Sequence, residues 1–468
     1  MAAIASLEQA GAYLEGLINS ERSPDYRHAR LGLGPIQRLL DALGNPERAL
    51  SVIHVAGSKG KGSTALFAES VLGALGERVG TFTSPHLRSW SERFRLGGCE
   101  AGGERIAAAV ERVRPFADAL RAECPDDAPT FFDATTAAAL VLFAEEGVDR
   151  AVLEVGLGGR LDSTNAVAPA VSCITSIELE HTEKLGDTLA AIAGEKAGIL
   201  KAGVPCVAGP LAPEAAEVVV ARARALGSPL FRLGEEIALA VDGGAAEGAR
   251  ASLRYAEPDG FAFETTLGVP GEHQARNAAL AVAAVRRLGV HPPAALAAAA
   301  AAGLAGASLP GRVEVLGRDP WVIVDSAHTA ASARALAEVL EQLRVRRTHL
   351  VLSISVGKHL AAILEALLPL AAAVTVTRAE PRRSLDPVEV AAAARTARPG
   401  VEIRVVPNPH LAVRAAREAL GADEALCVTG SFYLAGIGRE VLADASRPGA
   451  PPIRVTRRSG PPGAGARG

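Results

Sequence analysis

Apolar and polar positions follow two alternating periods along the chain. Short β-branched runs recur: SVIHVA (51–56), RVGTFT (78–83), RAVLEV (150–155) and VSCITSI (171–177). Between them apolar residues return at helical spacing, as in STALFAESVLGALG (63–76) and TTAAALVLFAEEG (135–147). Strand runs alternating with amphipathic helices predict an α/β fold with a parallel sheet. Residues 230–270 read differently, with short strands, Gly-rich turns and the alternating FAFETTLGV (261–269), and predict a small β excursion. A second α/β series runs through WVIVD (321–325), THLVLSIS (348–355), AAVTVTR (372–378), VEIRVV (401–406) and ALCVTG (425–430). The Ala-rich helix near 293–304 and the SLPGR that follows it mark the junction. The expected organisation is a first domain over 1–305, a second over 306–445, and a disordered Pro/Gly/Arg-rich tail over 446–468.

A chain of 468 residues supports two such domains. Its net charge of −3 gives no global pull toward nucleic acid or membrane. No basic helix or aromatic-basic interleaving points to nucleic acid either. The five cysteines are scattered and odd in number, which fits a reducing cytoplasm rather than a disulfide framework. The N-terminal stretch carries Glu8 and Glu15 and does not read as a signal peptide. The most apolar run, LAAILEALLPLAAAVTV (360–376), is broken by Glu365 and Pro369, so no membrane span is expected.

The first strand leads into HVAGSKGKGST (54–64), where Gly57, Ser58, Lys59, Gly60, Lys61, Gly62, Ser63 and Thr64 crowd together. In the common phosphate loop a hydroxyl residue directly follows the lysine. Here Gly62 intervenes between Lys61 and Ser63, and a helix is expected to start at Ser63. Flexible glycines, a lysine and a helix N-terminus are the ingredients of a phosphate cradle. In open α/β sheets ligands sit beyond the carboxyl ends of the strands. There the sequence places Ser84, Glu154 and His181, a hydroxyl, a carboxylate and an imidazole suited to a nucleotide and magnesium. A turn hydroxyl, a cap or salt-bridge partner, and a structural imidazole are the plain alternatives.

Several blocks occur in order: the glycine loop, TFTSPHL (81–87), EVGLGGRLDSTN (154–165), HTEKLGDTLAAIAGEKAGILK (181–201), GEHQARNAALA (271–281), LPGR (309–312), DSAH (325–328) and GSFYLAG (430–436). Together they resemble the folylpolyglutamate synthase/dihydrofolate synthase family of the Mur ligase group, from about residue 30 to about 440. The resemblance implies a P-loop ATPase domain and a smaller Rossmann-like C-terminal domain. It also implies ATP-dependent joining of L-glutamate to dihydropteroate or a reduced folate, by a cytoplasmic monomer. By motif position, Gly57 to Thr64 would hold ATP together with Asn277, Arg312, Asp325 and His328. Ser84, Glu154, His181 and a carbamylated Lys196 would hold magnesium, and Lys61, His181 and Lys196 would serve catalysis. Thr130, Phe132 and Asp162 would receive the pterin.

The family commonly shows Asp-Gly-Ala-His-Asn-Pro where this chain has DSAHTA, and Asp-Lys-Asp where it has Gly357-Lys358-His359. Asp133 stands where glutamate is common. Rival expectations are a Mur-type ligase for another acceptor and a nucleotide-binding protein without ligase activity.

Overall fold

The structure is a computed structural model describing residues 3–19, 32–243, 250–345, 347–421 and 423–445. The region expected to be a disordered tail lies outside the described residues. Eight strands form the first sheet: β1 (Val52–Ala56), β2 (Val79–Phe82), β3 (Phe94–Leu96), β4 (Cys99–Glu100), β5 (Arg150–Glu154), β6 (Val171–Ile174), β7 (Cys206–Ala208) and β8 (Leu230–Arg232). Their order is β4-β3-β2-β5-β1-β6-β7-β8. All pairs are parallel except β2/β3 and β3/β4. Strands β2 to β5 lie on one side of β1 and β6 to β8 on the other, so the crossovers part at β1. A crevice for ligands opens beyond the carboxyl ends at such a point. Every residue of β1 is buried, as a central strand covered on both faces requires.

The helix after β1, Lys61–Ala74, is buried on almost every face. The helices Glu272–Arg286 and Pro293–Gly306 pack on it. Alanine and glycine permit this contact: a methyl group at Gly303 would stand 2.8 Å from the Ser70 carbonyl, and the Ser70 hydroxyl donates to the Gly303 carbonyl at 2.7 Å. The Ala-rich stretch is therefore built into the core, against the helix that carries the glycine loop.

The β excursion divides. Leu230–Arg232 joins the main sheet beside β7, because the helix Pro213–Leu226 returns it in parallel. Strands β9 (Ala238–Gly243), β10 (Arg250–Ala256) and β11 (Ala262–Pro270) form a separate antiparallel sheet. Its alternating buried residues Leu253, Tyr255, Phe263, Leu267 and Val269 belong to the first core.

The last sheet holds β12 (Glu314–Arg318), β13 (Trp321–Val324), β14 (Thr348–Leu352), β15 (Ala371–Val376), β16 (Glu402–Val405) and β17 (Ala425–Thr429). The order is β12-β13-β17-β14-β15-β16, with only β12/β13 antiparallel. It has its own core. Among the described residues no helix is long and apolar enough to cross a membrane.

Candidate functional site

The glycine loop leaves β1 with Gly57 at φ 150° and Gly60 at φ 83°, conformations that glycine adopts without a Cβ penalty. Gly60 is the residue before the helix, which starts at Lys61 rather than at the expected Ser63. No side chain caps that helix start. Its first N–H groups are thus open to an anion, reinforced by the helix dipole.

The loop is stitched to the segment after β6. Ser58 N donates to the Ser176 carbonyl at 2.8 Å, Lys59 N to Ser176 Oγ at 2.9 Å, and Glu178 N to Ser58 Oγ at 2.9 Å. The Thr175 hydroxyl donates to the Lys59 carbonyl at 2.5 Å. Lys61 Nζ donates back to the Gly57 carbonyl at 2.9 Å, which holds its charge over the loop. Thr64 Oγ1 is buried without a partner.

Three elements bring their predicted residues onto this loop. Asn277, on Glu272–Arg286, packs against Gly60 so closely that a methyl there would stand 2.2 Å from its Oδ1. Arg312, from the segment between Pro293–Gly306 and β12, lays its guanidinium over Gly62, where a methyl would stand 2.3 Å from Nη2 and 3.0 Å from Glu154 Oε2. Glu154 is buried at the end of β5 and accepts from Ser84 N at 2.9 Å. Burial raises its pKa, and the charges of Lys61 and Arg312 pull the other way.

Ser84 and Glu154 offer magnesium a hydroxyl and a carboxylate beside the phosphate cradle, which fits an ion that completes its shell with phosphate oxygens and water. Among the described residues no group of three His, Cys, Asp or Glu side chains forms a metal cluster by itself. His181 sits at φ 49°, with Nδ1 3.9 Å from Glu183, and burial lowers its pKa. Lys196 is 1 % exposed and donates to Glu180 at 3.2 Å. Burial and then Lys61 lower its pKa to about 8. As an ammonium it cannot ligate a metal; as a neutral amine it could add carbon dioxide and become an oxygen ligand.

Glu180 had no separate place in the sequence reading, yet it joins the site: its second oxygen accepts from Lys59 at 2.9 Å. Burial works against its charge, but Lys61, Lys59 and Lys196 outweigh that and bring it down to about 2. Nothing local in the sequence marked it, because Lys59 lies 121 positions away.

The second sheet contributes through the ends of its strands. Asp325, after β13, spends its oxygens on Val313 N at 2.8 Å and Ala327 N at 2.7 Å, while burial raises its pKa to about 6. Val313 has φ 47°, a rare state for a β-branched residue. Asp325 thus fixes the turn that aims Arg312. His328 packs on Phe432 with ring centroids 5.2 Å apart and contacts the Ser326 carbonyl through Nδ1 at 2.9 Å. Burial, Lys59 and Lys358 keep it neutral, with a pKa of about 3. Lys358 is partly buried, and its pKa is lowered by burial and by Lys59 across the cleft. In the altered DSAHTA segment Thr329 and Ser332 form the capping box of the helix Ala330–Gln342, so the departure still builds a helix start.

The three pterin candidates lie together around the loop that follows β5. Thr130 caps the helix Phe131–Glu145 in a box with Asp133. Asp133 is buried there and also accepts from the Ser163 hydroxyl at 2.6 Å. Phe132 lies against Gly156, where a methyl would stand 2.6 Å from its Cζ, and 6.0 Å from the Phe82 ring centroid. Asp162 is 7 % exposed and receives Leu157 N at 2.9 Å, Thr164 N at 3.1 Å and the Thr164 hydroxyl at 2.5 Å. Burial raises its pKa to about 6.

Comparisons with known proteins bear on the family and the fold. Residues 55–285 match the Mur ligase middle domain and residues 311–432 the Mur ligase glutamate ligase domain. The dihydrofolate synthase/folylpolyglutamate synthase of Bacillus subtilis is 38 % identical over 66 % of this chain and 72 % of its own length. A probable bifunctional folylpolyglutamate synthase/dihydropteroate synthase of Haloferax volcanii is 35 % identical over 87 % of this chain. The chain spans about half of that relative, 48 % of its length. Mycobacterium tuberculosis folylpolyglutamate synthase complexed with ADP and AMPPCP superposes with a TM-score of 0.83 at 31 % identity, covering 96 % of this chain and 99 % of the other. Escherichia coli FolC in complex with DHPP and ADP gives 0.82 at 29 % identity, covering 96 % and 100 %.

Proposed function

Because the chain belongs to the Mur ligase family, among the folylpolyglutamate synthases/dihydrofolate synthases, we propose that it joins L-glutamate to dihydropteroate or a reduced folate at the expense of ATP. The observation that carries the reading is the cradle itself: Lys61 and an uncapped helix start on one side, with Arg312 lying over Gly62 on the other. Relatives of this fold complexed with ADP or AMPPCP support nucleotide binding.

In the reaction a carboxylate oxygen of the acceptor attacks the γ-phosphorus of ATP. ADP leaves, and an acyl phosphate results. The amine of glutamate then attacks the acyl carbon, loses a proton, and expels phosphate as the amide forms. The first step brings two anions together, so charge must be placed before it occurs. Lys61 and the helix N-terminus receive the transferred phosphoryl group, and Arg312 reaches it from the second sheet's side. Magnesium, held through Ser84 and Glu154 with His181 and a carbamylated Lys196 nearby, supplies further neutralisation of the phosphates when bound. Asn277 and His328 line the nucleotide, with Asp325 behind Arg312. Thr130, Phe132 and Asp162 receive the pterin, Phe132 offering a ring face and Asp162 a carboxylate for its amino edge. We read the protein as a cytoplasmic monomer, in keeping with its five free thiols.

Phosphate release with ATP, magnesium and L-glutamate tests this, comparing 7,8-dihydropteroate with tetrahydrofolate and identifying products by mass spectrometry. A glutamylated product with either acceptor supports the reading. Nucleotide binding without acceptor-coupled turnover would refute it.

A further inference from the structure

His54 lies inside β1, three residues before the glycine loop, with no exposed surface. A histidine in the middle of an apolar central strand needs a partner, and it has one. Its Nε2 lies 2.9 Å from Thr164 Oγ1, and the Thr164 hydroxyl lies 2.5 Å from Asp162 Oδ1. The proton count along this row is fixed by chemistry. An ionised carboxylate only accepts, so the single hydroxyl proton of Thr164 points to Asp162. The threonine oxygen is then an acceptor toward His54, and Nε2 must carry the ring proton. The opposite ring nitrogen agrees: Nδ1 is buried with no partner, tolerable for a bare lone pair and costly for an N–H.

We propose that His54 is a positioning residue for the acceptor: by donating from Nε2 it locks the Thr164 hydroxyl onto Asp162 and so fixes the carboxylate that receives the pterin. The assignment rests on the reading of Asp162 given above. Asp162 has little open surface, and Leu157 N and Thr164 N already take part of its capacity. What it presents to a ligand is therefore decided by how the carboxylate is turned. The row runs from the strand that carries the phosphate loop to the loop that carries the acceptor, so both sites share one fixed reference.

NMR and kinetics decide the matter. In the wild-type protein, nitrogen NMR of His54, assigned by its disappearance in His54→Gln, should report a neutral ring with the proton on Nε2. A proton on Nδ1 overturns the proposal, and this readout needs no substrate. In kinetics, His54→Leu should raise KM for dihydropteroate about 5- to 10-fold, the loss of one hydrogen bond, while KM for ATP stays within about twofold. His54→Gln, which can donate from a similar place, should recover most of the loss. Thr164→Val should give the same split, and the double variant His54→Leu/Thr164→Val should be no worse than Thr164→Val alone. Equal changes in both KM values, or additive losses, would reduce His54 to packing. Should His54→Leu fail to fold, Thr164→Val and the NMR measurement decide. Wild-type protein inert toward both dihydropteroate and tetrahydrofolate would overturn the functional reading itself, whereas normal turnover with no KM split for the acceptor it uses overturns this inference alone.

Discussion

Replacing Gly62 with alanine separates the chemistry of the cradle from its stability. The new methyl would stand 2.3 Å from Arg312 Nη2 and 3.0 Å from Glu154 Oε2. Contact at about 3.4 Å or more is needed, so the guanidinium must withdraw by roughly 1 Å. Arg312 is the far end of a long side chain and gives way easily, and Gly62 is not among the residues with positive φ. Folding should therefore lose less than about 1 kcal/mol, a fall in Tm of under about 2 °C for a chain this long. The reaction loses more. A charge-assisted contact contributes about 1.5–3 kcal/mol, so kcat/KM for ATP should fall between about 10-fold and 150-fold. Coupled-enzyme detection of ADP, alongside thermal melting, measures both. Gly57→Ala is the control: its methyl would meet Thr175 Oγ1 at 1.9 Å and Ser176 N at 3.1 Å at φ 150°, so there the melting temperature should drop with the activity. Gly62→Ala with wild-type kinetics would refute the placement of Arg312 over the phosphate loop.

Arg95→Ala should cost about 3–5 kcal/mol in urea unfolding, because Glu69, only 4 % exposed, loses the guanidinium that contacts both its oxygens. Turnover by the folded fraction should stay within about twofold, and a loss of stability below about 1 kcal/mol would contradict the burial argument. Glu154→Gln keeps an acceptor for Ser84 N but removes the charge at the phosphates, so turnover should fall by at least about 100-fold with melting nearly unchanged. Substantial turnover by that variant would remove Glu154 from the chemistry. Burial, then Lys201, lowers the His54 pKa from 6.5 to about 3. The unfolded chain takes that proton first, so this part of the stability is lost as pH falls from 6.5 toward 3. At pH 4.5 the loss is about 3 kcal/mol, and His54→Gln should show a drop between pH 7 and pH 4.5 smaller by about that amount. Equal drops in the two proteins would mean that His54 is not held neutral.

The central strands were legible because buried parallel strands are written as β-branched runs, and the glycine loop because its conformation needs particular residue types. The hairpin of β3 and β4 carries no apolar run and was missed, although Gly97 and Gly98, at φ 58° and 85°, are a readable signal for a two-residue turn. The helix start was misplaced by two residues because Gly60 already adopts the turn that Ser63 was expected to follow. Other features depend on residues far apart in sequence. Glu180 reaches Lys59 only because β6 lies beside β1, and His54 meets Thr164 across 110 positions. Neither has a local pattern. The left-handed Val313 is held by Asp325, just past the end of β13, and has no propensity signal of its own.

Lys59, Lys61, Arg312 and Lys358 stand around the glycine loop, with Glu154, Glu178 and Glu180 among the carboxylates that face them. Those cations act before any contact forms, drawing polyanions in along the field. Nucleotide capture should therefore be fast at low ionic strength and slow as salt screens the approach. Once the triphosphate has entered, those cations are largely neutralised. The dicarboxylic amino acid that follows meets a weaker field, and the order in which the two arrive is written into the charge of the cleft.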